Sequence, residues 1–587
     1  MNAKPSVNEF TIKIANVNGT GSASANGLLM KSLFRMGIPV VGKNYFPSNI
    51  QGLPTWYEVR VSEKGHLARS GRVDIMVAMN AETYKHDLAE VASGGYLIYD
   101  STWPRNSLLK RDDITIVGVP LSKMCNENFP NARARILMKN VVYVGVLAAL
   151  LDLDLDVVRE LLNQTFAKKA SLLEGNQLAI RMGYEWAQAN LETPLPFTAK
   201  TSNKTKDHII IDGNTAAGLG SVYAGATCAA WYPITPSTSL MDAFRAFCAA
   251  TRVDPETGEN KYCIVQAEDE LAAIGMVLGA NWAGARSFTA TSGPGVSLMS
   301  EFLGYGYFTE IPAVLFNVQR CGPSTGMPTR TQQSDITSSA YASHGDTRHV
   351  LLFPANPEEC FYASRDAFDL AERLQTPVIV LSDLDIGMND WMTPVDLSSA
   401  KHNVFHRYYD HDGDAIPKRT LPGDHPKGAY FTRGSGHNMY GAYTENADEY
   451  QAVVDRLLRK WDTAKSLVPK ALIESSEKNR TGIISVGSCD HAVREAIDVL
   501  AEEGVGINYM RLKAFPFGKE VQEFIDAHDK LYVVEQNRDA QLKSLLRLEL
   551  NVHHEDLISI LHYNGLPMNA QFVIDAINED MAKGVAA

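Results

Sequence analysis

The sequence predicts an α/β protein with three domains, each built around a parallel sheet. Short β-branched runs alternate with segments of helical spacing over most of the 587 residues. That alternation stops twice: residues 192–206 are polar and rich in Pro, Thr, Ser and Lys, and the pattern is weak over 391–478. The predicted domains are therefore 1–195, 205–390 and 479–587, with an irregular connection at 391–478.

The first domain is predicted from strands at 11–15, 73–77, 96–99 and 114–117, followed by a helix over 132–151. Strands separated by helical segments are typical of parallel sheets, in which each crossover carries a helix. We therefore expect a parallel α/β domain at the N-terminus.

A glycine-rich turn, residues 19–27 (GTGSASANG), follows the first predicted strand and precedes an apolar helix. A phosphate-binding loop commonly occupies this position, because helix N-termini attract anions. Ser24 stands where the dinucleotide fingerprint has its third glycine. A nucleotide-dependent enzyme centred on this turn stays open as an alternative function.

The second and third domains show the same alternation. In the third, residues 489–503 form an amphipathic helix between the first two strands. Predicted strands of the second domain are 208–212, 227–231, 262–266, 285–289, 313–318, 349–353 and 377–381, and those of the third are 482–486, 505–510, 530–535 and 557–560.

Composition excludes several classes of function. A net charge of −13 argues against a nucleic-acid-binding protein, since affinity for phosphate backbones comes from clustered Lys and Arg. No apolar run is long enough to cross a bilayer. The N-terminal MNAKPSVNEF lacks the apolar core of a secretion signal. We therefore expect a cytoplasmic protein without a membrane segment.

The sequence predicts no metal site on this chain. Its seven cysteines include no CxxC pair and no run resembling iron–sulfur ligation, so any cluster is expected on another chain. Residues 401–426 are rich in His and Asp, including His402, His406 and His411. We favour a solvated connection there, because no helix or strand would make those side chains converge.

Four motifs of the second domain each follow a predicted strand. They are 231–239 (WYPITPSTS), 266–274 (QAEDELAAI), 291–295 (TSGPG) and 317–326 (NVQRCGPSTG). Ligands collect at the carboxyl ends of strands in open α/β sheets, so the motifs predict one binding surface. The two prolines of the first motif stiffen its loop and present the hydroxyl of Thr235.

In order and spacing, the four motifs resemble the alpha subunit of 2-oxoacid:ferredoxin oxidoreductases, in the form with an N-terminally fused gamma-type domain. Residues 10–190 resemble that gamma domain, although Ser22 and Ser24 replace two glycines common in its loop. Residues 205–385 resemble the domain that holds the pyrimidine ring of thiamine diphosphate. Residues 480–570, including VVEQN at 533–537, resemble a transketolase C-terminal-like domain.

The resemblance implies that Glu270 is the catalytic carboxyl that hydrogen-bonds the pyrimidine ring of thiamine diphosphate. A carboxyl group in an apolar environment favours its protonated, hydrogen-bond-donating form, which suits that role. Glu268, two residues upstream, is the competing candidate. An acidic residue that only stabilises the first turn of a helix is the structural alternative.

The resemblance also implies substrate- and cofactor-binding residues. Arg320 resembles the arginine that binds the substrate carboxylate, for which a planar bidentate donor is suited. A structural ion pair is the alternative for Arg320, and the role of His344 stays open. The remaining candidates are Thr235 and Thr325 for substrate, and Tyr232, Pro233, Ser292 and Gly293 for the cofactor.

The sequence lacks the Gly-Asp-Gly motif, and this absence predicts a partner subunit. Thiamine enzymes bind Mg²⁺ and the diphosphate through Gly-Asp-Gly and a later Asn, whereas the nearest match here, 211–214 (IDGN), is interpreted as a turn. The resemblance therefore implies a beta subunit that anchors the diphosphate of a shared thiamine diphosphate and contributes Mg²⁺ and a [4Fe–4S] cluster. An alpha2-beta2 assembly is expected.

The expected reaction is oxidative decarboxylation of a 2-oxoacid with coenzyme A and ferredoxin, or the reverse reductive carboxylation. By the resemblance, 2-oxoglutarate is the favoured substrate. Pyruvate or a branched-chain 2-oxoacid stays open, as does a non-catalytic assembly subunit.

Overall fold

The structure is a computed structural model that describes residues 5–48, 52–105, 107–394, 413–417, 419–424, 430 and 432–585. The described residues form two compact units. The first contains the residues up to Ile210 with 389–394 and 569–571, and the second contains the others. The predicted α/β class is confirmed, since parallel pairing dominates the larger sheets.

Up to residue 211 the chain forms β1 (Ser6–Val7), β2 (Glu9–Val17), α1 (Ser22–Arg35), β3 (Val40–Tyr45), β4 (Pro54–Ser62), β5 (Val73–Ala78), α2 (Tyr84–Glu90), β6 (Val91–Asp100), β7 (Thr115–Val119), α3 (Leu121–Asn128), α4 (Ala132–Leu150), α5 (Leu155–Thr165), α6 (Ala170–Asn190), β8 (Phe197–Thr198) and β9 (His208–Ile211).

The sheet of the first unit has six strands in the order β3-β4-β2-β5-β6-β7. Strands β2, β5, β6 and β7 run parallel as predicted, but β4 pairs antiparallel with β2 and β3. The sequence prediction missed β3 and β4. Buried Lys43, Glu58 and Arg60 interrupt the apolar pattern of these two strands, which removes the signal that identifies a core strand.

Beyond residue 211 the chain forms α7 (Gly213–Tyr223), β10 (Cys228–Trp231), α8 (Thr238–Thr251), β11 (Cys263–Gln266), α9 (Glu270–Trp282), β12 (Ser287–Thr291), α10 (Gly293–Phe308), β13 (Ala313–Gln319), α11 (Ile336–Ala340), β14 (Val350–Leu352), α12 (Pro357–Leu374), β15 (Pro377–Asp383), α13 (Leu384–Met388), β16 (Trp391–Pro394), α14 (Ala447–Leu467), β17 (Leu472–Glu474), β18 (Thr481–Val486), α15 (Cys489–Glu502), β19 (Asn508–Leu512), β20 (Ala514–Phe515), α16 (Lys519–Asp526), β21 (Lys530–Glu535), α17 (Gln541–Glu549), β22 (Leu557–Leu561) and α18 (Ala570–Val585).

The second unit contains a seven-stranded sheet in the order β11-β10-β12-β13-β15-β14-β20, parallel except for β20. Six of its strands match predicted ones. The seventh prediction, 208–212, is a strand but was assigned to the wrong sheet, because β9 pairs with β16 in a separate two-stranded sheet.

A five-stranded sheet in the order β17-β19-β18-β21-β22 also belongs to the second unit. Strand β20 follows β19 after a single residue, Lys513, yet it pairs with β14 of the seven-stranded sheet. One cluster of buried apolar side chains extends from Ala216 to Leu557. The two sheets therefore share a core.

A long helix lies in the segment 391–478, where an irregular connection was expected. Helix α14 begins after Asn446, whose side chain accepts hydrogen bonds from the backbone N–H groups of Asp448 and Glu449. Its buried Leu457 and Trp461 are spaced by four residues and form one apolar face. The histidines at 402, 406 and 411 lie outside the described residues.

Asp383, at the end of β15, is expected to make stability depend on pH. Its buried carboxylate accepts hydrogen bonds from Ser488 Oγ and the N–H of Ile386. Burial, reinforced by the charge of Asp385, raises the pKa of Asp383 to about 6. An Asp in the unfolded chain titrates at about pH 4. The folded state therefore gains stability from this group below about pH 4, and loses about 3 kcal/mol of it as pH rises through about 6.

Asp383→Asn removes this titration. The melting temperature of the variant relative to the wild type should therefore rise as pH increases from about 4 to about 7. Thermal unfolding of both proteins across that range checks the prediction. A difference that stays constant with pH would contradict it.

Candidate functional site

The four motifs meet at one edge of the seven-stranded sheet. They follow β10, β11, β12 and β13, which are neighbouring parallel strands in the order β11-β10-β12-β13. The chain reverses direction across the sheet at β10, since β11 and β12 lie on its two sides. A reversal of this kind leaves a crevice at the carboxyl ends of the strands, where ligands of α/β proteins bind.

Glu270 is the first residue of α9 and is 7% exposed, whereas Glu268 lies exposed in the preceding turn. Asp269 caps the helix by accepting a hydrogen bond from the N–H of Ala272. This cap already stabilises the first turn of α9, so the Glu270 side chain is not needed to stabilise it. Burial distinguishes the two candidate glutamates and favours Glu270 as the functional carboxyl.

Gly295 allows the backbone of α10 to pack against Glu270. A Cβ atom at this position would lie 1.9 Å from Thr291 Oγ1 and 3.0 Å from Glu270 Cγ. Only a residue without a side chain fits there. The start of α10 thus forms a wall beside the Glu270 side chain.

Several buried polar atoms near this wall have no partner among the described residues. They are Thr291 Oγ1, Ser292 Oγ and Asn317 Oδ1, each on a side chain that is 0% exposed. A buried polar atom without a hydrogen bond costs free energy, about 1–3 kcal/mol, unless a ligand or water satisfies it. The unsatisfied atoms therefore indicate a place for a polar ligand.

Arg320, at the end of β13, is 8% exposed and braces two loops. Its Nη1 donates to the carbonyl of Thr235 at 2.8 Å, and its Nη2 donates to the carbonyl of Thr325 at 3.3 Å. Its Nε has no partner within the described part of the chain. Burial lowers the pKa of the Arg320 guanidinium, while the nearby Asp335 opposes this shift. The predicted alternative was a structural ion pair, and no carboxylate among the described residues forms one with Arg320.

Asp335 is a site residue that the sequence did not reveal. Its carboxylate accepts a hydrogen bond from Asn317 Nδ2 at 3.1 Å, and a Cβ atom on Gly293 would lie 2.7 Å from its Oδ2. Burial raises the pKa of Asp335, although Asn317 and Arg320 oppose that shift. Nothing in the spacing after Arg320 singles it out. For Asn317 a signal existed, namely a polar residue within the apolar strand β13.

The other predicted residues lie on the loops that follow β10 and β13. Thr235 is half-buried, and Tyr232, Pro233 and Thr325 are exposed. Thr235 and Thr325 contact Arg320 through their carbonyls, not through their hydroxyls. His344 is exposed, and its Nδ1 lies 3.2 Å from Glu301 Oε2.

The glycine-rich turn of the first unit precedes α1 as predicted, with Gly21 at φ 81°. A Cβ atom on Gly21 would lie 2.3 Å from Leu137 Cδ2. Asn140 of α4 also donates to the carbonyl of Thr20 at 2.9 Å. These contacts place α4 against the turn and give its glycine a packing role, which does not require a nucleotide.

Neither a metal cluster nor a membrane-spanning helix is found in the described residues. No group of three or more His, Cys, Asp or Glu side chains among them is arranged to hold a metal ion. Their helices are too short or too polar to cross a bilayer.

Two family models match the sequence. Residues 220–452 match the model described as pyruvate flavodoxin/ferredoxin oxidoreductase, thiamine diP-bdg, and residues 11–186 match pyruvate ferredoxin/flavodoxin oxidoreductase. A 2-oxoglutarate synthase subunit KorA from Archaeoglobus fulgidus is 35% identical over 344 residues, which cover 58% of this chain and 91% of that protein. The chain belongs to the 2-oxoacid:ferredoxin oxidoreductase family.

Two further relatives show that the likeness covers the whole oxidoreductase chain. The alpha subunit of 2-oxoacid:ferredoxin oxidoreductase 2 from Aeropyrum pernix is 28% identical over 638 residues, covering 98% of both chains. The solved structure of 2-oxoglutarate:ferredoxin oxidoreductase from Magnetococcus marinus, with 2-oxoglutarate, coenzyme A and succinyl-CoA bound, is 29% identical. It superimposes with a TM-score of 0.87 over 97% of this chain and 99% of that one.

Proposed function

We propose that this oxidoreductase chain is the alpha-type subunit that holds the pyrimidine ring of thiamine diphosphate and binds the carboxylate of a 2-oxoacid. The single observation that carries the proposal is the buried Glu270, which faces the start of α10 beside unsatisfied hydroxyl groups. Those groups suit a polar heterocycle, because they offer a carboxyl and further hydrogen-bond partners at buried positions.

Within this site Glu270 would hold or donate a proton at its carboxyl oxygen, toward a ring nitrogen of the cofactor. Thiamine diphosphate, when bound, supplies the nucleophilic carbon and the electron sink for decarboxylation. The buried position of Glu270 keeps water away from that hydrogen bond, which strengthens it.

Arg320 would orient the substrate. Each of its Nη atoms uses one hydrogen on a backbone carbonyl, so the Nε–H and the remaining Nη–H groups stay available for a carboxylate. Because the same side chain braces the loops of Thr235 and Thr325, its position is fixed before substrate binds. We assign the hydroxyl of Thr235 as a further substrate contact, and Ser292 with Gly293 to the cofactor.

We infer that the chain acts with a beta subunit in the cytoplasm. That partner would anchor the diphosphate with Mg²⁺ and carry the [4Fe–4S] cluster that passes electrons to ferredoxin, in an alpha2-beta2 assembly. Support comes from the scattered cysteines and from the lack of a Gly-Asp-Gly motif in the sequence. We favour 2-oxoglutarate and coenzyme A as substrates, since the Magnetococcus marinus enzyme binds both.

Co-expression with the partner subunit tests the proposal. The purified assembly is assayed with 2-oxoglutarate, pyruvate and branched-chain 2-oxoacids, each with coenzyme A and a low-potential electron acceptor. Decarboxylation of 2-oxoglutarate at the highest kcat/KM is the expected result. Preference for another 2-oxoacid would correct the substrate, and inactivity with all of them would favour a non-catalytic assembly subunit.

Arg320→Lys is expected to lower kcat/KM for the 2-oxoacid by about 10- to 100-fold, mainly through KM, because Lys cannot bind a carboxylate through two parallel hydrogen bonds. Steady-state kinetics with the assembled enzyme measure the effect. Arg245→Lys, on the exposed side of α8, is the matched control and should leave both constants unchanged. An unchanged KM in Arg320→Lys would remove this residue from substrate binding.

A further inference from the structure

A groove on the first unit has no role in the proposed reaction. It lies between α1, the end of α5 and residues 205–210, with a volume of about 630 Å³. Lys31, Arg35 and Lys206 line it together with the apolar side chains of Phe34 and Ile209. We call it the cationic groove. Its volume falls within the range of small-molecule binding sites.

The three cations that line the cationic groove have no ion-pair partner among the described residues. No acidic side chain lines it, and Lys31 and Lys206 form no ion pair or hydrogen bond with any described residue. Arg35 donates only to the neutral Oε1 of Gln164, at 3.3 Å. On a chain with a net charge of −13, cations that gather around one concave surface without acidic partners create a local positive potential.

Helix stability does not account for this arrangement. Arg35 lies in the last turn of α1, where the helix dipole favours a cation. Lys31, however, is one turn earlier on the same face, where two like charges repel each other. Lys206 belongs to a different segment of the chain. The three cations therefore meet by tertiary structure and not through a requirement of α1.

A second observation also indicates a ligand. His208 lines the cationic groove, and its Nδ1 is buried without a hydrogen-bond partner in the described part of the chain. The side chain of Ile209 beside it is 42% exposed. A ligand in the cationic groove would cover the exposed apolar surface of Ile209, which is favourable.

We propose that the cationic groove binds a nucleotide-type anion, with its phosphate groups against Lys31, Arg35 and Lys206 and its ring against Phe34 and Ile209. Phosphate groups form strong charge-assisted hydrogen bonds with Lys and Arg. A planar ring covers the aromatic and aliphatic surface between them. Such a site is separate from the residues assigned to the 2-oxoacid and the thiamine ring.

Calorimetric titration of the full chain, assembled with its partner subunit, tests the proposal with ADP as the probe. We expect ADP to bind, and the double variant Lys31→Gln/Lys206→Gln to bind it at least about tenfold more weakly. Affinity should also fall as salt is raised, because the contacts are partly exposed charges. Lys85→Gln, an exposed lysine of α2, is the matched control and should retain full affinity.

Coenzyme A, which contains an ADP group, serves as a second probe. If the double variant loses affinity for both probes, the groove recognises the shared ADP group, which supports the proposal; loss for ADP alone supports a site for free nucleotides. Failure of ADP to bind the wild type overturns the proposal. Equal ADP affinity in the wild type and the double variant overturns it too. A loss of ferredoxin affinity in the double variant would not change that conclusion.

Discussion

Replacing Glu270 by Gln is expected to abolish most of the decarboxylase activity. The change keeps the size of the side chain and removes the acidic proton, and a positioned acid or base typically contributes about 10²- to 10⁴-fold to a rate. We therefore expect kcat of the assembled enzyme to fall by about that factor. Single-turnover measurement of CO₂ release from 2-oxoglutarate, at saturating thiamine diphosphate, records the chemical step directly.

Glu268→Gln is the matched control, since Glu268 lies two residues away and is exposed. It should keep normal kcat and normal cofactor affinity. Circular dichroism and melting temperature of both variants show whether the fold is retained. Equal loss of activity in the two variants, or full activity in Glu270→Gln, would refute the assignment of Glu270.

Glu310→Gln is expected to destabilise the second unit strongly. The Glu310 carboxylate is buried and binds two cations, Lys460 Nζ at 2.8 Å and Arg456 at 2.6 and 2.8 Å. Removing its charge leaves the buried ammonium of Lys460 without an ion-pair partner, which costs about 3–5 kcal/mol. A marked fall in the melting temperature, or faster unfolding in denaturant, measures the loss. The contact holds α14 against the turn between α10 and β13.

Acid should weaken the same contact. Burial acts to raise the pKa of Glu310, but Lys460 and Arg456 outweigh it and hold the pKa below its usual range. A lowered pKa means that the stabilisation is present above the unfolded pKa, near ~4.3, and is lost as pH falls through the folded one. Asp529→Asn, which breaks an exposed ion pair with Arg480, is the control. It should change neither the melting temperature nor its dependence on acid pH measurably.

The main part of the fold could be predicted because its strands are apolar and its helices amphipathic. Strands β13 and β15 are buried throughout, and each begins with an apolar run in the sequence, 313–316 (AVLF) and 377–381 (PVIVL). Strand β4 was missed because its buried Glu58 and Arg60 interrupt the apolar pattern that identifies a core strand. The pairing of β9 with β16 was also invisible, since no local pattern specifies a partner about 180 residues away.

The residues of the candidate site likewise fall into those that the sequence indicated and those that only the structure shows. Glu270 and Arg320 were predicted because each lies in a short motif after a strand that resembles the family's motifs, and both side chains are buried. The choice between Glu268 and Glu270 required burial, which depends on how α9 packs against α10. Asp335 was inaccessible to sequence reasoning, because its position beside Gly293 results from a loop that returns to the sheet edge. Motifs thus located the pocket, whereas tertiary packing determined which atoms face it.

The single residue between β19 and β20 limits how this chain can be divided. Because β20 covers the edge of β14, a break near residue 479 would leave that strand with unpaired backbone groups and a template for aggregation. The last hundred or so residues are thus no detachable module, despite having their own sheet. Fragments, swaps or circular permutants of this subunit need a junction elsewhere.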